Sequence, residues 1–194
     1  MNKKRIGYFG GCFNPVTVAH VNLIKKAIEQ CNLDKVYFVP MNDFYLKENL
    51  VPAQKRLEML EIACASEEKI EVSSLAIDLD KPTKAIDMFE IINNKHKDSD
   101  NYFIMGSDNF EKISTWKSAE KLERFYKYIV LDRGIQNIEL SNKDIILVKD
   151  DLSNNISSSL VRKRIKENQS TDNLIIDDIK AYILKNNFNY FICF

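Results

Sequence analysis

The chain has 194 residues, 45% of them hydrophobic, and 28 Lys+Arg offset 28 Asp+Glu. That length and apolar content fit one domain, residues 1–194, with a sizeable core, and five glycines and four prolines exclude a collagen-like or low-complexity chain. Zero formal net charge is not the basic excess of a general nucleic-acid binder, though it leaves room for a local basic pocket that takes a small anion.

The predicted elements alternate in type. "RIGYF" (5–9) is a strand, and it runs directly into "GGCFNPVTVAH" (10–20), which holds one of the two histidines. A helix follows over 17–31, with Ala19, Leu23 and Ala27 on one face. The strand 35–40 ends at a proline, and the helix 52–66 begins at one, where proline is tolerated. A strand over 69–74, a helix over 83–96 and strands over 101–105, 126–131 and 144–148 come next. Helices over 157–168 and 176–187 close the chain, so the C-terminal part from about 157 to 194 is helical. Strands joined by helices imply βαβ units: an α/β parallel sheet with helices on both faces. Ligands of such sheets lie beyond the C-terminal strand ends. Gly10–His20, Gly106–Asp108 and Asp132–Gly134 are therefore expected on one rim.

Cys12, Cys31, Cys64 and Cys193 are dispersed, with no C-x-x-C pair, which fits reduced thiols better than a zinc site or a disulfide framework. The N-terminal "MNKKRIGYFGGCF" lacks the apolar region of a signal peptide. No stretch approaches the ~20 apolar residues of a membrane span. The expected location is cytoplasmic. The apolar C-terminal "NNFNYFICF" calls for a cover: an added strand, a cap on the core or a subunit contact, with self-association favoured among these.

Two stretches suit phosphate chemistry. Gly10 and Gly11 let the backbone turn sharply and a ligand approach closely. A helix start offers N–H groups and a partial charge of about +0.5 to an anion. Thr17 and His20, three residues apart, lie on one side of the first turn. The G-x-G-x-x-G fingerprint and the G-K-[ST] of a P-loop are both absent. In "ISSSLVRKR" (156–164), hydroxyls gather at a predicted helix start, and Ser158 and Arg162 are four apart. A guanidinium holds phosphate through two parallel hydrogen bonds, whereas Lys163, Arg164 and Lys166 fit a solvated basic face. The plainer alternatives are a glycine-proline turn with a satisfied histidine, and a serine cap on an exposed helix.

"GGCFNPVTVAH" resembles the G-x-F-[DN]-P-x-[HT]-x-x-H signature of the nucleotidyltransferase superfamily, and "ISSSLVR" resembles its I-S-S-[ST]-x-x-R signature. "FVPMNDFYLKENLVPAQKRLEML" (38–60), "MGSDNFEKISTWKSAEKL" (105–122) and "LDRG" (131–134) resemble segments of the nicotinate/nicotinamide mononucleotide adenylyltransferase family. The similarity spans nearly the whole chain. It implies a Rossmann-like domain that transfers AMP from ATP to nicotinate or nicotinamide mononucleotide in NAD biosynthesis, releasing pyrophosphate. It places ATP on Gly10, Gly11, Cys12, Phe13, Asn14, His20, Gly106, Asp108, Ile156, Ser157, Ser158 and Arg162, with Thr17, His20 and Arg162 serving the transfer. It places the mononucleotide near Lys47, Thr83, Trp116 and Arg133. Mg²⁺ would be held by phosphates and water rather than by a protein cage. His96, in "NNKHKD", reads as a solvent-facing helix end.

Thr17 and Ala19 depart from the family's H-x-G-H form. Threonine also occurs there in phosphopantetheine adenylyltransferases, which carry an I-S-S-S-L-V run but are shorter and have an R-G-x-R segment unmatched here. A nucleotide-binding protein without turnover is another alternative. A class I aminoacyl-tRNA synthetase fragment would carry K-M-S-K-S, which is absent.

Overall fold

A computed structural model describes residues 3–44, 50–79, 81–132, 144–149 and 156–188. β1 (Lys4–Gly11) passes through a glycine turn into α1 (Val18–Gln30) and returns as β2 (Lys35–Pro40). α2 (Ala53–Cys64) leads to a short β3 (Ile70–Val72), and α3 (Ala85–Lys95) leads to β4 (Ser99–Gly106). After β4 come α4 (Ser107–Phe110), a 3₁₀ turn (Ile113–Thr115) and α5 (Ala119–Phe125). β5 (Lys127–Asp132), β6 (Ile145–Lys149), α6 (Ser158–Lys166) and α7 (Asp177–Lys185) complete the described fold.

The six strands form one sheet in the order β3-β2-β1-β4-β5-β6, and every neighbouring pair is parallel. Because side chains alternate across a strand, each inner strand feeds two cores. On one face, Phe9, Phe38, Ile104 and Leu131 pack with Leu23, Leu60, Val161 and Ile183 from α1, α2, α6 and α7. On the other, Tyr8, Phe103, Met105 and Val130 pack with Phe89 of α3 and Leu122 of α5. The parallel sheet with helices on both faces agrees with the expectation.

All predicted strands and helices are present; β2 keeps its predicted bounds, and the others shift by one or two residues at their ends. Between β4 and β5 the sequence pattern predicts no element, yet two short helices and the 3₁₀ turn fill the gap. Each is too short to display a helical period, and Ser118, at φ 62°, sits in the left-handed region and starts α5 afresh. β3 spans three residues rather than the predicted six, though Ser73 N–H still donates to Phe38 O at 2.9 Å. The C-terminal segment 189–194, with its expected cover, lies outside the described residues. Phe188 itself is buried, its ring 5.9 Å from that of Tyr182. No helix among the described residues is long and apolar enough to cross a membrane.

Candidate active site

The strand order runs outward in one direction from β1 and in the other from β4, so a topological switch point lies between their C-terminal ends. Gly11, Gly106 and Asp132 end parallel strands and share that edge. After Gly11 the chain enters a loop pinned by Phe13, at φ 48° and 3% exposed, whose ring meets Phe9, Phe38 and His20. A Cβ on Gly11 would come within 2.9 Å of that ring, so only glycine lets Phe13 fold under the loop.

Thr17 caps α1, and His20 answers it. Thr17 N–H donates to His20 Nδ1 at 3.0 Å, the Thr17 hydroxyl lies 2.7 Å from the same nitrogen, and His20 N–H points at Thr17 Oγ1 at 3.4 Å. This is a capping box with histidine in the place of the usual Glu or Gln. It has a chemical consequence. A nitrogen that accepts from a backbone N–H carries no proton in the neutral ring, so Nε2 carries it and is a donor. Thr17 is 2% exposed. Spacing alone suggests that Thr17 and His20 both reach outward to one anion; the structure turns the threonine hydroxyl inward to orient the imidazole.

α6 docks on the same loop. Ser158 Oγ donates to Pro15 O at 2.7 Å, and Arg162 Nη1 donates to Asn14 O at 2.8 Å. A second guanidinium nitrogen donates to Ser159 Oγ at 3.1 Å. Burial holds the Arg162 pKa below the usual arginine value. Ser157 caps α6, accepting from Leu160 N–H at 3.2 Å, and Ile156 packs partly buried against the core. Asn14, 3% exposed, accepts from Val51 N–H at 3.2 Å through Oδ1. Ser158 and Arg162 thus tie the start of α6 to the Asn14–Pro15 backbone just ahead of the Thr17–His20 cap.

Other expected residues fall around this junction. Asp108 is exposed in the first turn of α4, and a Cβ on Gly106 would approach its Oδ1 to 2.5 Å. Ser107 beside it is fully buried, and its hydroxyl has no protein partner. Gly10 is exposed and Cys12 half-buried. Thr83 Oγ1 donates to Lys81 O at 2.9 Å, and the buried Asn42 donates to the same carbonyl at 2.7 Å. Trp116 packs partly buried on the second core. Lys47 and Arg133 lie outside the described residues. His96 differs from the expected solvent-facing end: it caps α3 half-buried, 6.0 Å from the Tyr8 ring, and burial, with Lys95, lowers its pKa. No group of three or more His, Cys, Asp or Glu among the described residues is arranged to hold a metal. A hollow of about 350 Å³ between α1, α2 and α7 touches Thr17 but not His20, Arg162 or Asp108.

The sequence matches the cytidylyltransferase-like family over residues 8–164. The chain belongs to that family. Both the Gly10–His20 loop and the Ile156–Arg162 turn lie inside the matched range. This cytidylyltransferase-like chain is 30% identical to a Staphylococcus haemolyticus protein named "Probable nicotinate-nucleotide adenylyltransferase", covering 97% of this chain and 98% of that one. It is 31% identical to a protein of the same name from Carboxydothermus hydrogenoformans, covering 94% and 96%. Its fold matches the Plasmodium falciparum nicotinic acid mononucleotide adenylyltransferase complexed with APC at a TM-score of 0.82, with 24% identity, over 96% of this chain and 98% of that one.

One residue of this cytidylyltransferase-like site escapes a reading by motif. Arg56, on α2, is 0% exposed. Its nitrogens donate to Val51 O at 2.6 Å, Cys12 O at 2.9 Å and Met41 O at 2.6 Å. A signal was available. The positions 53, 56, 57, 60 and 64 share one helical face, and four of them are apolar. A charge on that face demands buried partners.

Proposed function

We propose that this chain transfers AMP from ATP to nicotinate mononucleotide, giving the dinucleotide and pyrophosphate, as a step of NAD biosynthesis. The observation that carries the reading is the Arg162–Asn14 bond at 2.8 Å, which joins the two phosphate-type motifs into one cradle beside a histidine oriented to donate. The names of the relatives support the choice of acceptor. One structural neighbour is described as complexed with NaAD.

In this reaction an oxygen of the mononucleotide's 5′-phosphate attacks the α-phosphorus of ATP in line. The bond from that phosphorus to the oxygen bridging to the β-phosphate breaks, and pyrophosphate leaves with the electron pair. Little covalent chemistry falls to the protein, so alignment and charge neutralisation supply the rate. His20 Nε2–H donates to the α-phosphate oxygens as charge develops there, and Thr17 holds the ring in that tautomer. Arg162 has five N–H donors and with Ser158 grips the β- and γ-phosphates. Gly10, Gly11, Cys12, Phe13, Asn14, Ile156 and Ser157 form the cradle's walls. Asp108, beside Gly106, accepts from the ribose hydroxyls. Trp116 stacks on the pyridine ring, while Thr83, Lys47 and Arg133 meet the mononucleotide. The metal partner of this reading is Mg²⁺, bound through phosphates and water. When bound it neutralises triphosphate charge.

Residues 1–194 act as one nucleotidyltransferase domain, with the helical part from about 157 closing the site. The setting is the cytoplasm, the small-molecule partners are ATP and a pyridine mononucleotide, and nucleic acid is not a partner. Self-association through the apolar C-terminal segment belongs to the same reading and is read by sedimentation. The deciding experiment measures pyrophosphate release with ATP, Mg²⁺ and, in turn, nicotinate mononucleotide, nicotinamide mononucleotide and phosphopantetheine. Fast release with the first is expected. ATP binding without release from any acceptor refutes turnover, and release with phosphopantetheine alone replaces the acceptor.

A further inference from the structure

We propose that the hollow between α1, α2 and α7 is a binding site for a small organic cation with an apolar body, an inference independent of the adenylyltransferase reading above. The sequence makes the space. α2 runs out in the small residues Ala63, Cys64, Ala65 and Ser66. Cys64 turns into the core, while Ala63, Ala65 and Ser66 line the hollow and leave unfilled what longer side chains would occupy. The starts of α1 and α7 supply the other walls. Val18 N–H donates to Leu174 O at 3.0 Å, which holds the first turn of α1 to the segment ahead of α7.

Size and lining both suit a ligand. A volume of about 350 Å³ lies in the range of small-molecule sites, which are mostly apolar with a few polar groups. Val16 and Ile179 are buried, Val21 and Ile62 are half-buried, and Ile176 is 39% exposed. Apolar surface therefore continues from the interior of the hollow out to solvent, where a large exposed aliphatic side chain gains by being covered. Asn22 and Ser66 add neutral polar groups.

The charge of the hollow has one sign. Glu67 and Asp178 line it, and no lysine or arginine does. Lys25 bonds Glu67 at 2.8 Å from outside the lining, but a carboxylate accepts from several donors, so a second cation can share it. Asp178 stands in the first turn of α7, and the partial charge of about +0.5 at a helix start does not cancel a full negative one. Lys180, on the same helix, is turned to Asp172 at 3.5 Å. An ammonium or guanidinium on an aromatic or aliphatic body thus matches both the apolar walls and the two carboxylates. An anion of the same shape meets like charge, and a neutral one gains from burial alone.

The test titrates the whole chain with tryptamine, tryptophol and indole-3-acetate, which share one ring system and carry a positive, no and a negative charge at pH 7. The expected result is saturable binding of tryptamine with a low-millimolar Kd, the scale for about a dozen heavy atoms. Tryptophol should bind about fivefold more weakly and indole-3-acetate at least tenfold more weakly. Amide NMR shifts should centre on Val21, Ala63 and Ile176. Glu67→Gln combined with Asp178→Asn should bring tryptamine to the level of tryptophol, and Ala63→Trp should abolish binding by filling the space. Affinities that do not rank by charge, shifts centred elsewhere, or full affinity in the doubly neutral variant each overturn the proposal. So does prior occupation: NOEs from the Val21 and Ile176 methyls to a second copy, or to residues 189–194 of the same chain, in the protein alone give the hollow to that occupant. If Ala63→Trp does not fold, the charge series and the doubly neutral variant still decide. Failure of the chain to turn over any mononucleotide would sink the adenylyltransferase reading and leave these binding results as they stand.

Discussion

His20 and Thr17 act as a pair, and they separate under substitution. His20→Ala should lower kcat by at least ~10²-fold, the scale of losing a donor to developing charge. An unchanged kcat in a pyrophosphate-release assay removes His20 from the role. Thr17→Val should cost about 1 kcal/mol of stability through the lost cap and also lower kcat, since the imidazole loses its orienting hydroxyl; thermal melts and steady-state kinetics read the two effects separately. Arg162→Ala should cost about 10²-fold or more in kcat/KM, as for a desolvated charge pair. A loss under twofold would leave Arg162 a docking residue for α6 alone. The types and positions of these residues were legible in the chain. Their mutual bonds were not, because spacing along a helix fixes a shared side and says nothing of whether a hydroxyl turns out to a ligand or in to a neighbour.

Among the elements, the β4–α4 junction carries a sharp steric condition. A methyl group at position 106 would collide with the Asp108 carboxylate at 2.5 Å, and that exposed side chain can swing aside. Gly106→Ala should therefore keep a near-normal Tm and raise the KM for ATP, as read from kinetics at saturating mononucleotide; a KM that stays put would remove Asp108 from the ribose. At the end of α3 the half-buried His96 has a lowered pKa, first from burial and then from Lys95. The folded state thus prefers the neutral ring. The unfolded chain takes up the proton near the ordinary value of 6.5, so the stabilising contribution is complete above that value and is lost as pH falls below it. Urea melts from pH 7.5 to pH 5 should show this slope, and His96→Gln should flatten it. The long helices and inner strands could be read from periodicity. The 107–125 stretch could not, since pieces of three to seven residues hold by tertiary packing around Ile113 and Leu122 rather than by pattern.

At the scale of the whole molecule, the parallel sheet with helices on both faces followed from alternating elements and the right-handedness of their crossovers, whereas its order β3-β2-β1-β4-β5-β6 is seen only in the structure. Those rules put the glycine turns on one edge. They could not say that the last described quarter of the chain would close the first loop, because nothing local to "ISSSLVR" names its partner. Ser158 reaches Pro15 and Arg162 reaches Asn14 across 143 and 148 positions of sequence. A growing chain, extended at about 5–20 residues per second, can lay down all six described strands before either contact exists. The proposed cradle thus waits for α6, and a product cut short before that helix would leave the first loop without the two bonds that anchor it.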